Sequence, residues 1–253
     1  DRRQRQMCIR DSSFCMYTSW PVSFFHASIC RMSRSISFVL SSKIKRFNSS
    51  SHPQKMLKAV FFDLDGTLLP LNEDEFSHAY FKLLAEHMEP YGYTKDEIIN
   101  FVNLGVRAMY LNNGTKTNEE VFWNSFYNST TKREVDFKTI FNDFYNTSFL
   151  DTIKYTKPNP EALKIINEIK SLGLKVMLTT NPIFPFVATK ERMGFIGLKP
   201  EDFDYVTTYE NSKYTKPNPL YFKEVMDRFN LKSDEVILFG NNTKAVSYTH
   251  LTL

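Results

Sequence analysis

Asp63 and Asp65 stand one residue apart at the end of an apolar run, Val60-Phe61-Phe62, and Gly66-Thr67 follow at once. Such a run reads as a buried strand, and strands of an open α/β sheet deliver the residues at their carboxyl ends to a ligand crevice. Period-two alternation sets both carboxyls on one side of that strand end, while Gly66 lets the backbone turn away. Two acids so placed suit a nucleophile and a general acid/base that share one reacting atom.

Three further stretches repeat the theme of an element ending in a reactive group. Lys175-Val176-Met177-Leu178 is a second apolar strand, ending in the hydroxyls of Thr179 and Thr180 before Asn181. Lys216-Pro217-Asn218-Pro219 opens a helix, and Val236-Ile237-Leu238-Phe239-Gly240 is another buried strand. Together, in this order, the four stretches resemble the motifs of the haloacid-dehalogenase-like (HAD) hydrolase superfamily, over about Met56 to Ala245.

The resemblance implies an α/β fold with a doubly wound parallel sheet, the Rossmann-like HAD core, and an inserted α-helical cap of the subfamily I, C1 type. It implies a phosphomonoester hydrolase in which Asp63 attacks phosphorus and Asp65 serves as general acid and then base. Thr180, preferred to Thr179 because Asn follows that residue in many members, holds the phosphate, and Lys216 offsets the negative charge. Backbone N–H groups near Leu64 and Asn181, with Gly66 and Thr67 of the same loop, complete the substrate site. Mg²⁺ is the implied cofactor, held by Asp63, the Asp65 backbone carbonyl and Asn242. The implied substrate is a small phosphorylated metabolite. Dehalogenase members lack an acid at the position of Asp65, so its presence favours phosphoester chemistry.

One motif departs from the family pattern. The fourth reads Gly240-Asn241-Asn242-Thr243-Lys244-Ala245, where relatives carry acids soon after the glycine. An amide offers Mg²⁺ an oxygen but no charge, so weaker metal binding is expected. The neutral pair keeps two alternatives open, a non-catalytic relative that binds a phosphorylated ligand or a protein and a sugar-phosphate mutase that uses the same two aspartates.

Between the first two motifs lie about 115 residues, more than one crossover needs. Apolar residues recur there at three- and four-residue spacing over 75–87, 95–111, 118–128 and 136–146, which predicts four helices. Residues 74–149 are therefore expected to be the cap, with 56–73 and 150–245 as the core. Phe122, Trp123, Phe126, Tyr127, Phe141, Phe144 and Tyr145 fall at helical spacing and are expected to pack a cap core rather than to stack on substrate. Within the core, helices are expected over 160–173 and 220–229 and a strand over 204–208. The heptapeptide Lys154–Pro160 recurs as Lys213–Pro219. Lys216 lies where the family order wants its lysine, and Lys157 is expected to belong to a helix-entry turn.

Ten of the 32 Lys and Arg, but only two of the 28 Asp and Glu, fall in residues 1–55, so the remainder holds 22 basic and 26 acidic residues. The basic balance of the whole chain is thus no argument for a nucleic-acid or membrane partner. All three cysteines, Cys8, Cys15 and Cys30, also lie in that leader, and the five histidines have no ligand spacing. No run approaches the roughly 20 apolar residues of a membrane span. A soluble, cytoplasmic protein is expected, with the oligomeric state open. Codons for Val246–Leu253 can be chosen whose reverse complement encodes Gln4–Asp11, so residues 1–11 and 246–253 are expected to be adapter-like, the whole of 1–55 non-native or disordered, and the core to lack its fifth strand. The strand before Asn241 is then expected to be an open edge.

Overall fold

The computed structural model describes residues 57–130 and 135–241, together with the backbone of residues 7–8, 15–17 and 23–26. In chain order the elements are β1 (Met7–Cys8), β2 (Cys15–Tyr17), β3 (Ser23–His26), β4 (Ala59–Phe62), α1 (Glu73–Met88), α2 (Lys95–Tyr110), α3 (Asn118–Ser129), α4 (Phe137–Asn146), α5 (Ala162–Ser171), β5 (Lys175–Leu178), α6 (Phe186–Gly194), β6 (Tyr205–Val206), α7 (Pro219–Arg228) and β7 (Val236–Gly240).

Strands β7, β4, β5 and β6 lie side by side in that order, all parallel. The chain steps outward from β4 to β5 and β6, then crosses back to β7 on the far side of β4, so the strand order reverses beside β4. A crevice at such a reversal is where open α/β sheets bind ligands. Helices cover both faces. Ile165, Ile166 and Ile169 of α5 and Met193 of α6 pack on Val60, Phe62, Val176 and Leu178. On the other face Tyr221, Phe222, Val225 and Met226 of α7 pack on Ala59, Phe61, Met177 and Leu238. The strict alternation of β4 between the two clusters is the period-two pattern of a strand buried on both sides.

Helices α1 to α4 form a separate bundle above the crevice. Each starts on a side chain that accepts orphan N–H groups: Asn72 for α1, Thr94 for α2, Thr117 for α3 and Asp136 for α4. Thr94 with Glu97, and Thr117 with Glu120, form reciprocal capping boxes. The bundle interior is aromatic: Phe126 is fully buried against Phe101, Phe137 and Phe141, at ring separations of 5.7, 4.9 and 5.5 Å. Ala188 of α6 and Tyr209 after β6 join the same cluster and so tie the bundle to the core.

The edge of the sheet differs from expectation. Strand β3 pairs in parallel with β7, Ser23 to His26 against Ile237 to Gly240, and β2 and β1 continue antiparallel beyond it. Segments of the leader thus occupy the edge expected to be open, since a row of free N–H and C=O groups is a template for any strand within reach. Residues 131–134 and 242–253 lie outside the described residues, and Asn242 with them.

Candidate active site

Every parallel strand of the core ends at the crevice. Asp63 and Asp65 follow β4, Thr180 and Asn181 follow β5, Thr207 and Thr208 follow β6, and Asn241 follows β7. Lys216 comes from the turn ahead of α7, which Asn218 caps through the Leu220 N–H. Asp63, Asp65, Thr180, Asn181, Lys216 and Asn241 all line one cavity of about 530 Å³ between the sheet and the bundle.

Asp63 is held from two sides. The Leu64 N–H donates to its Oδ1 at 2.9 Å, and Lys216 Nζ lies 3.1 Å from its Oδ2. Lys216 is 9% exposed, and its ammonium sits 5.9 and 5.8 Å from the centres of the Tyr221 and Phe222 rings. Burying a lone ammonium is costly; here the carboxylate and two π-faces replace its water. The Asn181 Oδ1 accepts the Lys216 N–H at 3.1 Å, while its Nδ2 donates to Tyr110 of α2 at 3.1 Å. Asn181 therefore links the lysine turn to the bundle.

Asp65 meets a partner that the motifs did not suggest. Arg192 of α6 pairs with its Oδ2 through Nη1. This guanidinium is 1% exposed, donates to the Ala188 carbonyl at 3.3 Å and to Thr189 Oγ1 at 3.2 Å, and lies 4.3 Å from the Phe184 ring centre. Desolvation pushes the Asp65 carboxyl above the usual carboxylate range; Arg192 pulls it down, and the charges of Asp63 and Glu73 push it up again. Its Oδ1 is buried with no hydrogen-bond partner among the described residues.

The hydroxyls after β5 divide their work. Thr179 Oγ1 donates back to the Phe62 carbonyl at 3.3 Å and belongs to the sheet, whereas Thr180 lines the cavity. The Thr180 carbonyl is fixed from behind by Tyr221 OH at 2.7 Å and Thr207 Oγ1 at 2.8 Å. Leu64, Gly66 and Thr67, expected among the substrate contacts, do not line the cavity. Leu64 is fully buried and spends its N–H on Asp63; Thr67 is 2% exposed and gives its N–H to the Leu64 carbonyl. Gly66 has φ +67°, and a Cβ there would lie 2.0 Å from Asn241 Nδ2. Its role is to let the β4 and β7 loops approach, so that Asn241 can donate to Glu73 at 3.0 Å.

The second copy of the repeated heptapeptide is elsewhere. Lys157 is exposed, its N–H bonding to the Pro70 carbonyl, and Asn159 donates to Leu68 O at 2.7 Å, which secures the loop after β4.

Arg192, Glu73, Asn241 and Tyr110 are the site residues that sequence reasoning missed. A signal existed for Arg192: it shares the buried face of α6 with Ala188, Thr189 and Met193, and a cation on an apolar helix face asks for a partner.

The aromatics expected to be cap core turn out to do two jobs. Phe126 and Phe144 are fully buried packing, whereas Phe122, Trp123, Phe141 and Tyr145 pack and also line the cavity roof. Ile183 and Phe184, in the loop after Asn181, likewise line it while packing on the bundle.

Among the described residues no cluster of three or more His, Cys, Asp and Glu is gathered as a metal cage. Asp63 on the cavity wall and the backbone carbonyl of Asp65 supply oxygens of the kind a hard cation takes. Mg²⁺ commonly takes one or two carboxylates and completes its shell with water and substrate phosphate. No helix among the described residues is long and apolar enough to cross a membrane.

Comparison with known proteins places this architecture. The family model described as haloacid dehalogenase-like hydrolase matches residues 60–248, and the chain belongs to that family. A glyceraldehyde 3-phosphate phosphatase of Methanocaldococcus jannaschii is 26% identical over 191 residues, covering 74% of this chain and 77% of the relative. Pyrophosphatase PpaX of Bacillus cereus is 23% identical over 186 residues, covering 74% of this chain and 75% of the relative. Among solved structures, a HAD family enzyme of Bacteroides thetaiotaomicron aligns with a TM-score of 0.48 at 15% identity, over 77% of this chain and 89% of that one. A β-phosphoglucomutase-like protein of Thermotoga maritima aligns with a TM-score of 0.44 at 21% identity, over 77% and 81%.

Proposed function

We propose that this HAD-like hydrolase is a phosphatase that hydrolyses a small phosphomonoester through a phosphorylated Asp63, with Mg²⁺ as cofactor. The observation that carries the proposal is the pairing of Asp63 with Lys216 at 3.1 Å beside Asp65, on the wall of a cavity.

Asp63 would attack phosphorus in line, forming an acyl phosphate as the bond to the leaving oxygen breaks. Asp65 would give that oxygen its proton. Its raised proton affinity, from burial and from the charges of Asp63 and Glu73, suits a group that must hold a proton before the first step. Water then attacks the acyl phosphate, Asp65 takes its proton back, and inorganic phosphate leaves. Lys216, the Thr180 hydroxyl and the backbone N–H of Asn181 would bind the phosphoryl oxygens as charge spreads over them. Arg192 would act through Asp65, keeping its Oδ2 occupied so that Oδ1 is the oxygen left to exchange a proton. The cation would be held by Asp63 and the Asp65 backbone carbonyl, Asn242 lying outside the described residues. When bound, it supplies further positive charge to the phosphoryl oxygens.

Replacing the nucleophile tests the proposal. Asp63→Asn in the full chain should lower Mg²⁺-dependent phosphate release about a thousandfold or more, measured at a temperature where circular dichroism shows the variant folded. Undiminished release would refute it.

A further inference from the structure

We infer that the natural leaving group is a neutral, largely apolar alcohol, aromatic or branched, rather than a sugar, an acid or a second phosphate. The inference rests on the phosphatase reading above and deepens it.

The charge count around the cavity carries the argument. Among the described residues that line it, Asp63, Asp65 and Glu73 are acidic and Lys216 alone is basic. Lys216 is already committed to Asp63 and to the phosphoryl group it would meet there. Arg192 does not line the cavity; it is buried and bonded to Asp65, Ala188 and Thr189. A substrate carrying a carboxylate or a second phosphate would bring that charge beneath a roof whose described residues offer no cation to receive it and beside acids that repel it. Desolvating an unpaired anion costs several kcal/mol, which counts against diphosphates, phosphorylated acids and the bisphosphate that a mutase must hold.

The surface of the roof points the same way. Phe76, Phe81, Val102, Val106, Trp123 and Phe141 face the space above the aspartates. The buried polar groups of this roof bond to one another, Tyr80 to Tyr145 at 3.1 Å and Trp123 to Tyr209 at 3.2 Å, while Ser77, Asn103 and Tyr110 line the cavity from exposed positions. Burial pushes the Tyr80 hydroxyl to about 12 and that of Tyr145 well above the ordinary tyrosine range, so both stay neutral. Such a lining stabilises bound hydrocarbon and offers the several hydroxyls of a sugar few partners in its buried part. A cavity of about 530 Å³ accommodates a phosphate together with a ring or a short branched chain.

Primary alkyl esters of similar leaving-group chemistry provide the test. On the full chain with Mg²⁺, kcat/KM for benzyl phosphate and n-hexyl phosphate should exceed that for glycerol 1-phosphate by about tenfold or more, chiefly through KM. 2-Phosphoglycolate, which carries a carboxylate, should be poorer still. Equal or better turnover of the glycerol or glycolate ester would overturn the inference and leave the phosphatase reading intact. Phosphate release from none of the four would overturn that reading and the inference with it. A charge placed on the roof gives a second measurement. Val106→Lys should raise the ratio of kcat/KM for 2-phosphoglycolate to that for benzyl phosphate about tenfold, and Asn103→Lys, at an exposed position on the same wall, serves if the first variant does not fold. An unchanged ratio in a folded variant counts against the inference as firmly as the wrong order of esters.

Discussion

The floor and the roof of the same cavity are built on opposite principles. The floor is a set of buried charges held by partners far away in sequence, Asp63 by Lys216 and Asp65 by Arg192. The roof is an apolar surface supplied by α1 to α4, where Trp123 and Phe141 make edge-on contact with each other and with the buried Phe126 behind them. A floor of that kind tolerates little change, because removing one member leaves an uncompensated charge in a dry place. Packed rings can be exchanged at modest cost when volume is kept. One surface is thus suited to hold a fixed reaction and the other to choose what undergoes it.

Breaking the floor at its cation should produce the largest effect on this contrast. Lys216→Met keeps the length of the side chain but removes the charge facing Asp63, and kcat/KM should fall about 100- to 1,000-fold for every phosphomonoester alike. A loss confined to one substrate would move Lys216 from the floor to the roof in function. Comparing esters with different leaving groups in the same variant is the measurement.

Arg192 is the next point of attack. Arg192→Met would leave Asp65 with a buried carboxylate and no counter-charge, and Thr189 and the Ala188 carbonyl without their donor. Because the Asp65 side chain keeps 27% of its surface exposed, the loss should be milder than for a fully buried pair, about 2–3 kcal/mol in denaturant unfolding. Arg192→Lys should recover part of the stability but not the two-sided grip. If the methionine variant unfolds at the wild-type denaturant midpoint, the pair contributes nothing to the floor.

Gly66 sharpens the comparison because it is a backbone device and not a charge. In Gly66→Ala the left-handed φ costs about 1 kcal/mol, and the new methyl must displace the Asn241 amide from Glu73. Adding Asn241→Ala should reduce the cost of Gly66→Ala to the conformational part alone. Full additivity of the two changes would mean that the close approach does not matter.

These contrasts also explain what could be read before the structure was known. The bundle helices were legible to within one or two residues, α1 to α4 against 75–87, 95–111, 118–128 and 136–146, because local spacing and capping side chains determine them. The parallel core was legible because each apolar run ends in a reactive residue. Arg192 opposite Asp65 was not, since the two lie 127 positions apart and only the packing of α6 under the loop after β4 unites them. Nor was the contact of Asn241 with Glu73, 168 positions apart, or the pairing of β3 with β7. The double use of the roof aromatics was hidden for another reason: the same helical spacing serves a core and a cavity wall, and periodicity does not say which side of a ring stays bare.

The smallest effect is expected at the end of the sheet away from the cavity, where a change should alter stability without touching the chemistry. Glu235, just before β7, accepts from Lys58 Nζ at 2.6 Å and from the Lys232 N–H at 2.9 Å, joining the amino ends of β4 and β7. Those two donors hold its carboxyl below the usual glutamate range. The folded state therefore binds this proton less readily than the unfolded chain, so the contribution is complete above the ordinary value of about 4.3 and is lost as pH falls through the lowered one. With Lys58 half-exposed, the ion pair is worth about 0.5 kcal/mol. Glu235→Gln should accordingly lower the melting temperature slightly at pH 7, lose that difference as the pH drops below about 4, and leave kcat/KM unchanged for all esters. A change in turnover from this position would mean that strain at the amino ends of the strands reaches Asp63, and that the division between a scaffold end and a reacting end of the sheet is less complete than the placement of the charges implies.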